Sequence, residues 1–280
     1  MRSRVLLLVL SVFALSTTTA AYAVASTPQR IISLSPSATE DLFAIGAGKQ
    51  VVAVDALSNY PKSAPHSKLD AFSPNVEAIA KYKPDLVILQ SSATKASAVK
   101  AALEKLGIKV FFEVTPSDLN GAYAEITSLG SATGKKTQAA ALVIRMKSAI
   151  ANAITAGKRT SPTPIFHEVD NTLYSATSKT FIGHVYSDFN TTNIADAADT
   201  ADSYGYPQLT NEYILKANPS VIFVGDGEST AQISSRAGWG SVDAVSKKQI
   251  IILPNDIPSR WGPRLVDFYQ FVSRTFAAIK

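Results

Sequence analysis

Three histidines, six loop aromatics and two glutamates in matched surroundings are the residues with chemistry to offer. His66, His167 and His184 are scattered along the chain. His167 is followed by Glu168 and Asp170, a grouping with metal-binding atoms. In a strand, however, His167 and Glu168 point to opposite faces and do not converge on one ion. No second histidine stands at ligand spacing. No Gly-x-Ser-x-Gly elbow, Gly-x-Gly-x-x-Gly turn after the first strand or Walker A loop occurs either. Hydrolysis by a serine nucleophile and nucleotide binding therefore have no support, and the chain reads as a non-enzyme with no catalytic residue, no metal site and no cofactor.

The glutamates carry a different signal. Residues 77–89, EAIAKYKPDLVIL, recur as residues 212–224, EYILKANPSVIFV. The copies share Glu77/Glu212, Ile79/Ile214, Lys81/Lys216 and Pro84/Pro219, with the proline seven positions after the glutamate in both. Each copy reads as a helix that stops before a proline and feeds a buried strand. With Asn75 or Ser73 capping one helix and Thr210 the other, each glutamate falls in a first turn. There a carboxylate complements the helix dipole by ~0.3–1 kcal/mol, which would explain a single copy. Two copies on two lobes present a matched pair of carboxylates, which a dimeric partner with two basic pockets can read.

Tyr60, Phe72, Tyr174, Tyr204, Tyr206 and Trp261 sit in loops beside glycine or proline. Together they suggest an aromatic-lined cleft for a sizeable flat ligand. Asp256 and Arg260 stand in the loop 253–262. Arg260 is placed either to meet an acidic ligand group or to pair with Asp256.

The elements that must position these residues follow from patterning. The chain has 280 residues, is 46% hydrophobic and contains no cysteine. Disulfides, thiolate metal sites and lipid attachment through a cysteine are thereby excluded. Arg2 and Arg4 ahead of the apolar run 5–15, and then Ala21-Tyr22-Ala23, read as a secretory signal over residues 1–25, cleaved near Ala23 or Ala25. Without those arginines 25 basic residues face 22 acidic ones, no argument for nucleic acid. No later segment reads as apolar enough to span a membrane.

Strands are expected at 30–34, 51–54, 86–89 and 109–114, alternating with helices, and again at 165–169, 221–224 and 249–253. Ser37 with Glu40 fits a capping box for the first helix. The alternation argues two α/β lobes, each with a parallel sheet. Between them KKTQAAALVIRMKSAIANAITAGK, free of proline, spaces Leu142, Met146 and Ile150 four apart, as in one long helix of ~22 residues and ~33 Å. The expected division is an N-terminal lobe at 26–133, a linking helix at 134–158 and a C-terminal lobe at 159–280.

Ser35-Pro36-Ser37-Ala38-Thr39-Glu40, Tyr60-Pro61, Asn75-Val76-Glu77 and Lys83-Pro84-Asp85 resemble the iron-siderophore and cobalamin substrate-binding proteins of ABC importers. So do Tyr206-Pro207-Gln208-Leu209, Glu212, Asn218-Pro219 and Arg260-Trp261-Gly262-Pro263-Arg264. The resemblance covers residues 29–280. It implies two Rossmann-like lobes joined by one helix, acting as an exported monomer. The ligand, a ferric siderophore, cobalamin or haem, would lie between the lobes. It also implies that Glu77 and Glu212 dock on the permease dimer, and that Tyr60, Tyr206, Asp256 and Arg260 meet the ligand.

Overall fold

The computed structural model describes residues 27–279; the expected signal segment, 1–25, lies outside them. The first lobe runs β1 (Ile31–Leu34), α1 (Pro36–Ala44), β2 (Val51–Asp55), β3 (His66–Leu69), α2 (Val76–Ala80), β4 (Leu86–Gln90), α3 (Ala96–Lys105), β5 (Lys109–Glu113) and α4 (Leu119–Ala132). Helix α5 (Lys136–Gly157) follows. The second lobe runs β6 (Thr163–Glu168), α6 (Phe181–Ser187), β7 (Thr191–Asn193), α7 (Asn211–Ala217), β8 (Val221–Val224), α8 (Thr230–Ser234), α9 (Asp243–Ser246), β9 (Ile250–Ile252) and α10 (Leu265–Ala278).

Both sheets are parallel throughout, in the orders β3-β2-β1-β4-β5 and β7-β6-β8-β9. The central strands IISL and VIFV are buried at every position, as sheets covered by helices on both faces require. Each lobe has its own apolar layer on one side: Ile32, Leu34, Val87 and Leu103 in the first, Phe166, Ile222, Ile233 and Trp239 in the second. The other side of both sheets opens onto one continuous core that runs through α5 and α10. Leu142, Met146 and Ile150 lie buried in it, beside Ile126 and Leu129 of α4 and Phe268, Val272 and Phe276 of α10. Helix α5 does have the length and composition of a membrane span, contrary to expectation, but its apolar stripe is packed inside the protein.

Several elements escape the sequence pattern, β3 and α4 among them. Strand β3, HSKL, is a short edge strand with three of its four residues solvent-accessible, so it lacks an apolar signature. Helix α4 is interrupted by Gly121 and Gly130, yet Gly130 is where α4 meets α5: a Cβ there would stand 2.4 Å from the Ala139 Cβ. The first helix also starts earlier than its expected box. Ser35 is the N-cap, accepting from the Ala38 N–H, with Pro36 in the first turn. Glu40 is thereby released for another contact.

At the far end of α5, a Cβ on Gly157 would lie 2.5 Å from Ser273 Cα of α10, with backbone rather than a flexible tip in the way. Gly157→Ala should therefore lower unfolding free energy by about 1–3 kcal/mol in urea titrations. Gly240→Ala, which meets nothing within 4 Å, should stay within about 0.5 kcal/mol of the parent. Equal effects at the two sites would refute the close-packing account.

Candidate ligand cleft

The C-terminal ends of β5, β6, β8 and β9 face a common cavity of about 640 Å³, the end at which open α/β sheets take ligands. Thr115 and Pro116 reach it from the first lobe. From the second come His167 and Val169 after β6, Phe181 and Ile182 at the start of α6, Tyr206, Gly225 after β8, and the stretch 253–261 that carries Leu253, Asn255, Asp256, Ser259 and Trp261.

Of the expected ligand residues, Tyr206, Asp256 and Trp261 line this cavity. Tyr60 is not in the lining; it is half exposed, with its ring 4.5 Å from the Arg264 guanidinium. Its neighbour Asn59 donates from Nδ2 to Asp256 Oδ2 at 2.6 Å, tying the loop after β2 to the second lobe. Arg260 lies behind the wall, 3.7 Å from Asp256 and 4.0 Å from Glu40, with its side chain largely buried. Phe72 and Tyr174 are exposed outside the cavity lining, and Tyr204 is 86% exposed. The six aromatics therefore do not converge. Phe181 completes an aromatic wall with Tyr206 and Trp261. Phe181 opens α6 immediately after its cap Thr180, which marks its place in the helix but not which wall that helix supplies.

His167 and Glu168 part as strand geometry dictates. His167 lines the cavity, with Nδ1 3.0 Å from the Tyr186 hydroxyl. Burial pushes its imidazole down to about 4, so it is neutral in the cleft. Glu168 turns away to a two-pronged pair with Arg236, both contacts at 2.6 Å, and Arg236 also bonds Glu228. The carboxylates of Glu168, Asp226 and Glu228 stand within 4.8 Å of one another, but the Arg236 guanidinium already supplies their cation. Asp170 is spent in its own turn, accepting from Thr172.

The first lobe's side of the site is built on buried acids. Glu113, at the end of β5, accepts from the Ser35 hydroxyl at 2.9 Å and from Trp261 Nε1 at 3.2 Å. Glu125 of α4 is buried nearby and is pushed up to about 11 by burial, then by the charges of Glu113 and Asp41. Asp41 is fully buried with neither oxygen hydrogen-bonded. Burial foremost, with Glu113 and Glu40 nearby, holds it well above the ordinary carboxylate range.

On the outer surface the two repeat copies match in detail. Asn75 and Thr210 cap α2 and α7 through the N–H groups of Ala78 and Tyr213. Glu77 and Glu212 occupy the same second helical position, and both are exposed. Among the described residues neither carboxylate is paired in a salt bridge. Each copy then turns through a left-handed residue, Lys83 (φ 49°) or Asn218 (φ 47°), into its proline.

Residues 31–257 match the periplasmic binding protein family. An uncharacterised ABC transporter substrate-binding lipoprotein, YvrC, of Bacillus subtilis is 32% identical over 247 residues, 86% of this chain and 77% of that protein. The vitamin B12-binding protein of Pectobacterium atrosepticum is 28% identical over 272 residues, 94% of this chain and 92% of that protein. The crystal structure of a possible iron-binding periplasmic solute-binding protein from Staphylococcus epidermidis superposes with a TM-score of 0.77 at 27% identity, covering 89% of this chain and 99% of that one.

The buried acid of Glu125 sets a pH dependence. The folded chain keeps a proton that the unfolded chain releases above about 4.5, so this group lowers stability as pH rises from there toward about 11. The slope is at most about 1.4 kcal/mol per pH unit. Glu125→Gln, a neutral isostere of the protonated acid, should flatten the fall in unfolding free energy measured between about pH 6 and 9. Parallel curves for the two proteins would exclude a retained proton at Glu125.

Proposed function

The chain belongs to the periplasmic binding protein family, and on that premise we propose that it captures a metal chelate outside the cytoplasmic membrane and delivers it to an ABC importer. The carrying observation is the interlobe cavity, whose walls are mostly apolar and aromatic. Among the described residues lining it, Asp256 is the one carboxylate, and no lysine or arginine joins it. Haem brings carboxylates and ferric catecholates bring several negative charges, and neither would find a lysine or arginine in that lining. An electroneutral corrinoid suits it better: its faces can lie on Phe181, Tyr206 and Trp261, and its amides can meet Thr115, Asn255 and Ser259. The vitamin B12-binding relative supports the same choice.

Delivery rests on Glu77 and Glu212. Two carboxylates that are unpaired among the described residues, at the same position of two repeated helices, suit arginine pockets of a symmetric permease dimer. The protein works as a monomer and carries no cofactor of its own. Residues 1–25 direct export, with cleavage near Ala23 or Ala25. The chain has no cysteine and so lacks the thiol for lipid attachment, which supports a protein free in the periplasm or outside the cell.

Quenching of tyrosine and tryptophan fluorescence by cyanocobalamin should saturate at lower concentration than quenching by haemin or a ferric catecholate. The reverse order would overturn the corrinoid assignment. For docking, the double variant Glu77→Ala, Glu212→Ala should leave the dissociation constant unchanged and abolish uptake into cells. Uptake at the parental rate would sink the docking role.

A further inference from the structure

Two motifs far apart in the chain meet across the lobes: Ser35–Asp41 at the start of α1 and Arg260–Arg264 just before α10. Arg264, 224 positions from Glu40, grips it with Nε and Nη2 at 2.9 and 2.5 Å, one contact to each carboxylate oxygen. Three residues earlier, the Trp261 N–H donates to Ser37 Oγ at 3.3 Å. Between them Gly262 lies so close to α1 that a Cβ would stand 3.2 Å from the Ser37 carbonyl oxygen and 3.3 Å from Asp41 Oδ1. Side-chain exposure is 2% for Glu40 and 16% for Arg264, so water does little to screen the pair. Desolvating two such charges gains little stability, and their worth lies in fixing one geometry. The guanidinium also stacks on the half-exposed Tyr60 ring, 4.5 Å away.

We propose that Glu40 and Arg264 form a clamp that sets the width of the cleft, with the Tyr60 ring as its support. Helix α5 runs unbroken between the lobes and joins both through one core, so it sets how they sit at that core but not how far apart their loops stand. The clamp supplies a second attachment, at the N-terminus of α10. A planar guanidinium is required, because one face must stack while its edge makes two parallel contacts; lysine offers neither. Arg260, 4.0 Å from Glu40, and Asp256 beyond it are the other charged groups facing the pair; Asp41 and Glu113 beneath are held toward their neutral forms by burial.

The chain has no cysteine, so one introduced pair of labels reports the interlobe distance cleanly. Spin labels at Lys105→Cys in α3 and Ala231→Cys in α8, both exposed, suit double electron–electron resonance. Without ligand, Glu40→Gln and Arg264→Lys should each broaden the distance distribution and lengthen its mean by a few ångströms. Combining them should add little, as for two halves of one contact. Tyr60→Leu should broaden it less, and Tyr60→Phe should restore the parental distribution. Circular dichroism checks that each variant is folded. A parental distribution in both Glu40→Gln and Arg264→Lys overturns the clamp, and equal behaviour of Tyr60→Phe and Tyr60→Leu overturns the ring's part. Because no ligand is used, the result holds whichever chelate the cleft takes.

Discussion

The packing of α5 against α10 is the contact on which the remaining structure depends. Two parallel sheets with helices on both faces would fold as independent lobes, each with a core of its own. Here the inner face of each sheet opens onto a shared core, and α5 lays its Leu142, Met146 and Ile150 stripe through it. Phe276 and Tyr269 of α10 pack on Phe189, and Phe276 also meets Phe223 edge-on at 5.9 Å. Glycine at 157 is what lets the two helix backbones approach. Interiors packed at this density are bistable rather than continuously deformable. Motion between the lobes is therefore confined to a small rocking about that core, felt most at the strand ends, which is where the cavity lies.

That confinement explains why polar groups are buried around the cavity at a cost. Asp41, Glu113 and Glu125 lie where α1, β5 and α4 meet, and three ionised carboxylates there would repel strongly. Burial eases the conflict by pushing all three above the ordinary carboxylate range, toward their neutral forms. Glu113 Oε1 accepts from the Trp261 indole as well as from the Ser35 hydroxyl, so the aromatic wall from the second lobe is oriented by an acid of the first. On the second lobe His167 stays neutral beside Tyr186, and Arg236 neutralises Glu168 behind it. Both lobes thus present a cavity lining with little charge while placing charges just outside it.

Much of this was legible in the chain, and the legible parts share a physical cause. Buried strands such as Ile31–Leu34 and Val221–Val224 are continuous apolar runs because both faces are covered. The spacing of Leu142, Met146 and Ile150 announces α5 because one helix stripe is buried along its length. Asn75 and Thr210 serve as caps where their types suggest. What stayed hidden depends on partners distant in sequence. Strand β3 is held by its neighbour β2 and not by its own pattern. Glu40 suits a capping box locally, but it is drawn to Arg264 across the lobes while Ser35 takes the cap. Loop aromatics announce exposure, and exposure alone does not decide which of them turn inward: Trp261 does, Phe72 does not.

The repeated stretch shows how one local design serves two ends. In both copies a capped helix start exposes a glutamate, and a left-handed residue before proline turns the chain into a buried strand. The turn and the strand are constrained by folding: Ile79 and Ile214 are fully buried, and the strands that follow pair centrally in each sheet. The glutamates are not, since N-terminal carboxylates stabilise a helix by well under a kilocalorie when exposed and screened. Aspartate would serve the helix dipole as well. The longer side chain stands at the same helical position in both lobes and is in no salt bridge among the described residues, as the proposed docking requires.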